Sequence, residues 1–154
     1  MDVITIISSL SLMGIMGFLV AYYAFPPNIC IEETKDKIDQ NLESRFVIKN
    51  IGKLPADKII YDVLNLDLNN GQLTDNSAHN CGKAVLRLGS GEKTEIPVLP
   101  HFGTLFGSVA QSCSYTLAVN YEIPFPFYRP KLTKKWLVKL VVNKDSYAWQ
   151  AELT

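Results

Sequence analysis

Three cysteines and two histidines are the side chains with the widest chemical reach in this 154-residue chain. His79, Cys81, His101 and Cys113 would make a four-ligand metal set. The His79-x-Cys81 spacing does not fit ordinary zinc ligation, however, and a chain with two histidines has few ways to complete a site. A disulfide between Cys81 and Cys113, formed in an oxidising compartment, stands ahead of the metal and close beside a third reading, two unpaired buried thiols. Cys30 is then the odd thiol, either free or pairing between chains.

Nucleophilic and phosphate chemistry have weaker footing. Gly89-Ser90-Gly91 is no nucleophile elbow, because Leu88 and Glu92 occupy the places of the two required glycines. His101 could orient Cys113 as a nucleophile, but nothing nearby completes a triad. Gly103-Thr104-Leu105-Phe106-Gly107 lacks the Gly-Lys-Ser/Thr ending of a phosphate loop. Glu32 and Glu33 form an acidic pair in a charged segment, where solvation is the ordinary role. With no convergent set of acid, base and nucleophile, the expectation is a non-catalytic protein without metal or cofactor.

What must position these residues begins with an uncharged run from Val3 to Phe25, closed by Pro26-Pro27. About 20 mainly apolar residues span a bilayer's hydrocarbon core as a helix. A cleaved signal would want a positive start, a shorter apolar core and small residues before the cut, whereas Tyr22 and Tyr23 stand there. The run therefore predicts a retained single transmembrane helix, with Tyr22, Tyr23 and Phe25 at the membrane interface. Gly17 and Ala21, with Ser8, Ser11 and Gly14, offer a weak helix-packing pattern.

All 15 basic residues and every acidic residue except Asp2 lie beyond the run. That near-zero balance argues against nucleic acid, which calls for a basic field, and against polybasic docking to anionic lipid. Flanking charges nearly cancel, so topology rests on fold and cysteines, which favour an extracytoplasmic domain, periplasmic or at the cell surface. Residues 1–29 are read as the anchor, 30–44 as a charged stalk or short helix, and 45–154 as one domain.

From Arg45 the apolar period becomes two. Short strands are predicted over Arg45–Lys49, Lys58–Leu66 and Gly82–Leu88, with Asn69-Asn70-Gly71 and Gly89-Ser90-Gly91 as turns. Thr94–Leu99 is demoted to an edge by Pro97. Tyr115, Leu117, Val119, Tyr121 and Ile123 alternate with Thr116, Ala118, Asn120 and Glu122, and Trp136, Val138, Leu140 and Val142 with Lys135, Leu137, Lys139 and Val141; Tyr147, Trp149, Ala151 and Leu153 form a third alternating face. Phe46, Tyr61, Leu117, Val119, Trp136, Val138, Leu140 and Trp149 are the predicted core. The pattern predicts an all-β fold, an antiparallel β-sandwich.

Phe46-Val47-Ile48-Lys49-Asn50-Ile51-Gly52, then Pro55-Ala56-Asp57 and a strand, resembles the opening of bacterial immunoglobulin-like domains of the CARDB type. Tyr115-Thr116-Leu117-Ala118-Val119 is similar to their penultimate strand. The resemblance covers about half the domain and departs after Glu122. It implies an immunoglobulin-like sandwich used for adhesion, spacing or assembly, with no catalytic residues.

The departure is itself informative. In Ile123-Pro124-Phe125-Pro126-Phe127-Tyr128-Arg129-Pro130 the prolines stiffen the backbone and display three aromatic rings beside an arginine. Phe125, Phe127, Tyr128 and Arg129 are thus an interface candidate, with packing against the end of the core as the competing role. The functional expectation is a membrane-anchored structural or interaction module within an envelope protein assembly, its partners the membrane and other membrane or envelope proteins. The alternative is an extracytoplasmic domain binding a ligand or peptide for a membrane partner; a small-molecule ligand is the weaker form of it.

Overall fold

The computed structural model describes residues 12–17, 19, 20, 24–35, 44–68, 73–75, 79, 80, 85–98, 112–124, 129–143 and 146–154. Among them run β1 (Ile29–Lys35), β2 (Arg45–Asn50), β3 (Ala56–Leu68), β4 (Leu73–Asp75), β5 (His79–Asn80), β6 (Val85–Leu88), β7 (Lys93–Pro97), β8 (Cys113–Glu122), β9 (Lys131–Asn143) and β10 (Ser146–Leu153). They build two antiparallel sheets. One has the order β1-β2-β7, the other β10-β9-β8-β3, with β4, β5 and β6 all pairing with β3. The expected all-β architecture is what forms.

Alternation along the strands explains the layers. Tyr115, Leu117, Val119 and Tyr121 of β8, and Ile123 just beyond it, are all buried. They meet Phe46, Ile48 and Ile96 of the smaller sheet in one apolar cluster that also takes Trp136, Val138 and Trp149. Fully burying a side chain of this size contributes about 1.5–3 kcal/mol. Of the eight predicted core residues, seven are buried; Leu140 is the partly buried exception, packed against the cluster's margin. Leu153, read as part of an inward face, is instead 65% exposed. It is the last residue of β10, the edge strand of the larger sheet.

Pro97 sits on β7, an edge of the smaller sheet, where its missing N–H costs no ladder bond. On the other sheet, β4, β5 and β6 read in turn along β3, from Leu66 opposite Asp75 to Ala56 opposite Leu88. They act as one interrupted edge strand, a form that discourages pairing with other chains. β3 itself carries two register shifts against β8, with Lys58 at φ 47 and Asn65 at φ 51. Such bulges bend a strand and re-aim its side chains; here Lys58 is brought 3.2 Å from Glu122.

Two boundaries differ from expectation. The segment read as stalk or short helix opens with β1, hydrogen-bonded along β2, so the domain starts at Ile29 and not at 45. A register shift between Ile31 and Glu33 breaks the two-residue period there, and the strand buries only one margin. Residues 36–43 lie outside the described residues. Of the run Val3–Phe25, residues 12–17, 19, 20 and 24 are helical, and among the described residues no helix is long and apolar enough to cross a membrane. Tyr22 and Tyr23 lie outside the described residues.

Candidate functional site

Asn50 closes β2, wholly buried, and uses every hydrogen-bonding position of its side chain. Its Oδ1 accepts from the backbone N–H of Asn28 and of Gly52, each at 3.0 Å, and its Nδ2 donates to the carbonyls of Leu54 at 2.8 Å and Leu88 at 3.1 Å. One side chain therefore joins the segment before β1, the β2–β3 loop and the end of β6. Its backbone continues the join, since Asn50 N–H donates to Glu92 and Gly91 N–H donates to Asn50.

Gly52 explains the rest of the Asn-x-Gly motif. A Cβ there would lie 2.2 Å from the Pro26 oxygen, 2.5 Å from Asn28 N and 2.6 Å from Pro27 Cα. Only glycine lets the chain cross so closely. Around the crossing, Ile51 N–H donates to Asn28 O at 2.8 Å and Leu54 N–H to Phe25 O at 3.2 Å. Tyr121 donates its hydroxyl proton to Pro27 O at 3.4 Å. Lys134 donates to the Asn28 side-chain oxygen and, at 3.0 Å, to Ile29 O. Burial pulls Lys134 below the ordinary lysine value and raises Tyr121 above its own, as desolvation penalises each charged form.

These groups share one end of the sandwich, where β1, β7 and β9 begin and β2, β6 and β8 end. The β8–β9 hairpin opens from the same end, with Ile123 N–H donating to Pro130 O at 3.1 Å. Arg129 is exposed there. Phe125, Phe127 and Tyr128 lie outside the described residues, so their part in an interface stands as proposed from sequence. A groove of about 580 Å³ at this end is lined by Phe25, Pro27, Ile51, Tyr121, Leu132 and Lys134, among others.

Comparison with known protein families, curated proteins and solved structures returns no match. The likeness to CARDB-type domains therefore rests on sequence motifs, of which Asn-x-Gly has a physical role here as a latch.

Among the described residues no disulfide is seen. Cys113 is a free, buried thiol. It stands opposite Leu68 at the end of β3, while Asn80 stands opposite Asp62 at that strand's middle. Cys81 itself lies outside the described residues, as do His101, Phe102 and Phe106. Burial, and secondarily the negative Asp67, push the Cys113 thiol from 9.0 up to about 12. That is the opposite of an activated nucleophile. We expect native Cys113 to resist maleimide at pH 8 and to react fully in denaturant. Its folded form keeps the proton, so this thiol's contribution to stability is whole below pH 9 and falls as pH rises toward about 12. Rapid native labelling of Cys113, read by peptide mass mapping, would refute the buried assignment.

The other singled-out groups have structural work. Glu32 lies on β1 and bridges Lys93 and Lys49, and these two cations hold its carboxyl below the usual range. Ser90 is exposed in a tight turn, where Gly91 adopts φ 78 and Glu92 accepts from Gly89 N–H at 2.6 Å. Among the described residues no group of three His, Cys, Asp or Glu could hold a metal ion.

Sequence reasoning missed the latch although its signal was visible. Asn-x-Gly after a strand, with Pro-Pro upstream, is consistent with close backbone crossing, but Lys134 and Tyr121 carry no local sign of it.

Proposed function

We propose that this chain is a membrane-anchored immunoglobulin-like module, a non-catalytic structural or interaction subunit of an envelope protein assembly. The observation that carries the reading is the helical segment before the sandwich. Leu12, Met13, Ile15, Met16, Leu19 and Val20 are all exposed, and no polar residue stands among the described positions of that segment. Gly14 and Gly17 have no atom within 4 Å of their Cβ positions. A contiguous bare apolar surface of this kind needs a membrane or a protein cover, and the length of the uncharged run Val3–Phe25 favours the membrane.

The strand order supports the finer fold assignment. β3, β8 and β9 adjoin as strands C, F and G do in immunoglobulin-like sandwiches, opposite a sheet built on β2. Tyr115, near the start of β8, donates its hydroxyl proton to the Val98 carbonyl upstream, in the manner of the tyrosine corner. In this frame the Pro-aromatic hairpin is the F–G loop, at an end of the sandwich where such folds carry recognition. The second reading, a ligand- or peptide-binding domain, draws on the groove beside Lys134.

The test is purification of the full chain from membranes in mild detergent, with and without Phe127→Ala. The expected result is a chain that resists carbonate extraction, keeps its N-terminal run and co-purifies with membrane proteins. Phe127→Ala should weaken that association by about thirtyfold, a hot-spot loss of roughly 2 kcal/mol, while leaving the melting temperature within about 2 °C. A sharp fall in melting temperature, or unchanged association, would assign Phe127 to packing instead.

A further inference from the structure

We propose that the latch end of the sandwich lies flat on the phospholipid headgroups of the bilayer that takes the run, with Phe25, Ile51, Lys53, Arg129 and Lys131 as its contact rim. The proposal rests on reading Val3–Phe25 as a membrane anchor and goes further, to the pose of the domain.

The argument is one of slack. A stalk over residues 30–44 would have let the domain stand off by tens of ångströms, at up to about 3.4 Å per residue. Instead the last residue of the run is already bound to the domain: Phe25 O accepts from Leu54 N–H at 3.2 Å. Pro26 and Pro27 stiffen the next step, and Asn50, Tyr121 and Lys134 hold Pro27, Asn28 and Ile29. Wherever the end of the run sits, the β2–β3 loop sits one hydrogen bond away. An aromatic residue ending a membrane run belongs at headgroup level, and Ile51 and Lys53 share that level.

The surface of this end suits the same occupant. Phe25 is 52% and Ile51 54% exposed, and both line the groove at this end. Lys53, Arg129 and Lys131 are exposed around them. The acids nearby are largely engaged: Asp57 lies by Arg87, Glu122 by Lys58, and Glu92 accepts from Gly89 N–H. An apolar tip ringed by cations matches a headgroup surface carrying some anionic lipid. The chain's overall balance hid this local excess, because acids elsewhere offset it, among them Glu95, paired with Lys35 at the far end of β1.

The experiment uses the full chain carrying Cys30→Ser and Cys81→Ser, reconstituted in vesicles of phosphatidylcholine and phosphatidylglycerol at about 3:1. A fluorophore is placed at Ile51→Cys or, as the far-end reference, at Arg45→Cys. Arg45 lies at the other end of β2, roughly 20 Å from Ile51 at strand spacing. The same chain without an added cysteine corrects for Cys113. Nitroxide-bearing lipid is expected to quench the Ile51 probe at least about threefold more than the Arg45 probe. Equal, weak quenching at both positions in carbonate-resistant vesicles would overturn the pose and leave the anchor intact. An Ile51 probe shielded from aqueous iodide but untouched by nitroxide lipid would also overturn it, assigning the rim to a second copy. Release of the chain by carbonate would sink the anchor reading and the pose together.

Discussion

Asn50→Ala is expected to cost the sandwich about 3–5 kcal/mol. The substitution removes four hydrogen bonds at once and strands Asn28 N–H, Gly52 N–H and the carbonyls of Leu54 and Leu88. Each buried group left unpaired costs about 1–3 kcal/mol, and water entering beside the part-buried Asn28 recovers some of that. Asn50→Asp is no rescue: it keeps the acceptor but turns a carboxylate oxygen toward two carbonyls. Urea unfolding of the full chain in detergent, followed by the buried Trp136 and Trp149, reads the loss directly. A change below about 1 kcal/mol would mean that the network is replaceable by water.

Gly52→Ala is expected to cost about 3 kcal/mol, by crowding alone. The three atoms nearest the new methyl, at 2.2, 2.5 and 2.6 Å, are all backbone, so no side chain can swing aside. Overpacking of this kind typically costs about 1–3 kcal/mol, and rigid neighbours put it at the upper end. Pro26 and Pro27 must move, and the Phe25–Leu54 and Asn28–Ile51 bonds with them. Hydrogen exchange distinguishes this from global loosening: the Leu54 and Ile51 amides should lose protection before those of β8 do. In the vesicle experiment the same variant should erode the difference between the Ile51 and Arg45 probes. Wild-type stability with both amides protected would show that the crossing has more room than the geometry allows.

The fold was largely legible because period-two alternation is a local property. Tyr115 to Ile123, and Trp136 with Val138, declare their buried face without knowing what covers it. Pro97 declared an edge for an equally local reason, its missing donor. β1 was illegible for the converse reason: its register shift at Ile31/Glu33 breaks the period, and its pairing with β2 is non-local. The Leu153 face was misread because alternation cannot tell that Leu153 ends an edge strand.

By itself, then, the sequence determined an all-β chain behind an uncharged run, the inward faces of its central strands, and the stiffness of the Pro-aromatic segment. Tertiary structure decided everything that depends on residues distant in sequence meeting. It set Cys113 and Asn80 at different levels of β3, turned Asn50-Ile51-Gly52 from a turn signal into a latch, and set Ile123 and Pro130, the flanks of the Pro-aromatic segment, at the end where the run enters. The physical reason is the range of the forces involved. Hydrophobic patterning and backbone stiffness act within a few residues, whereas strand register and crossing contacts are fixed only once two sheets have closed over one core.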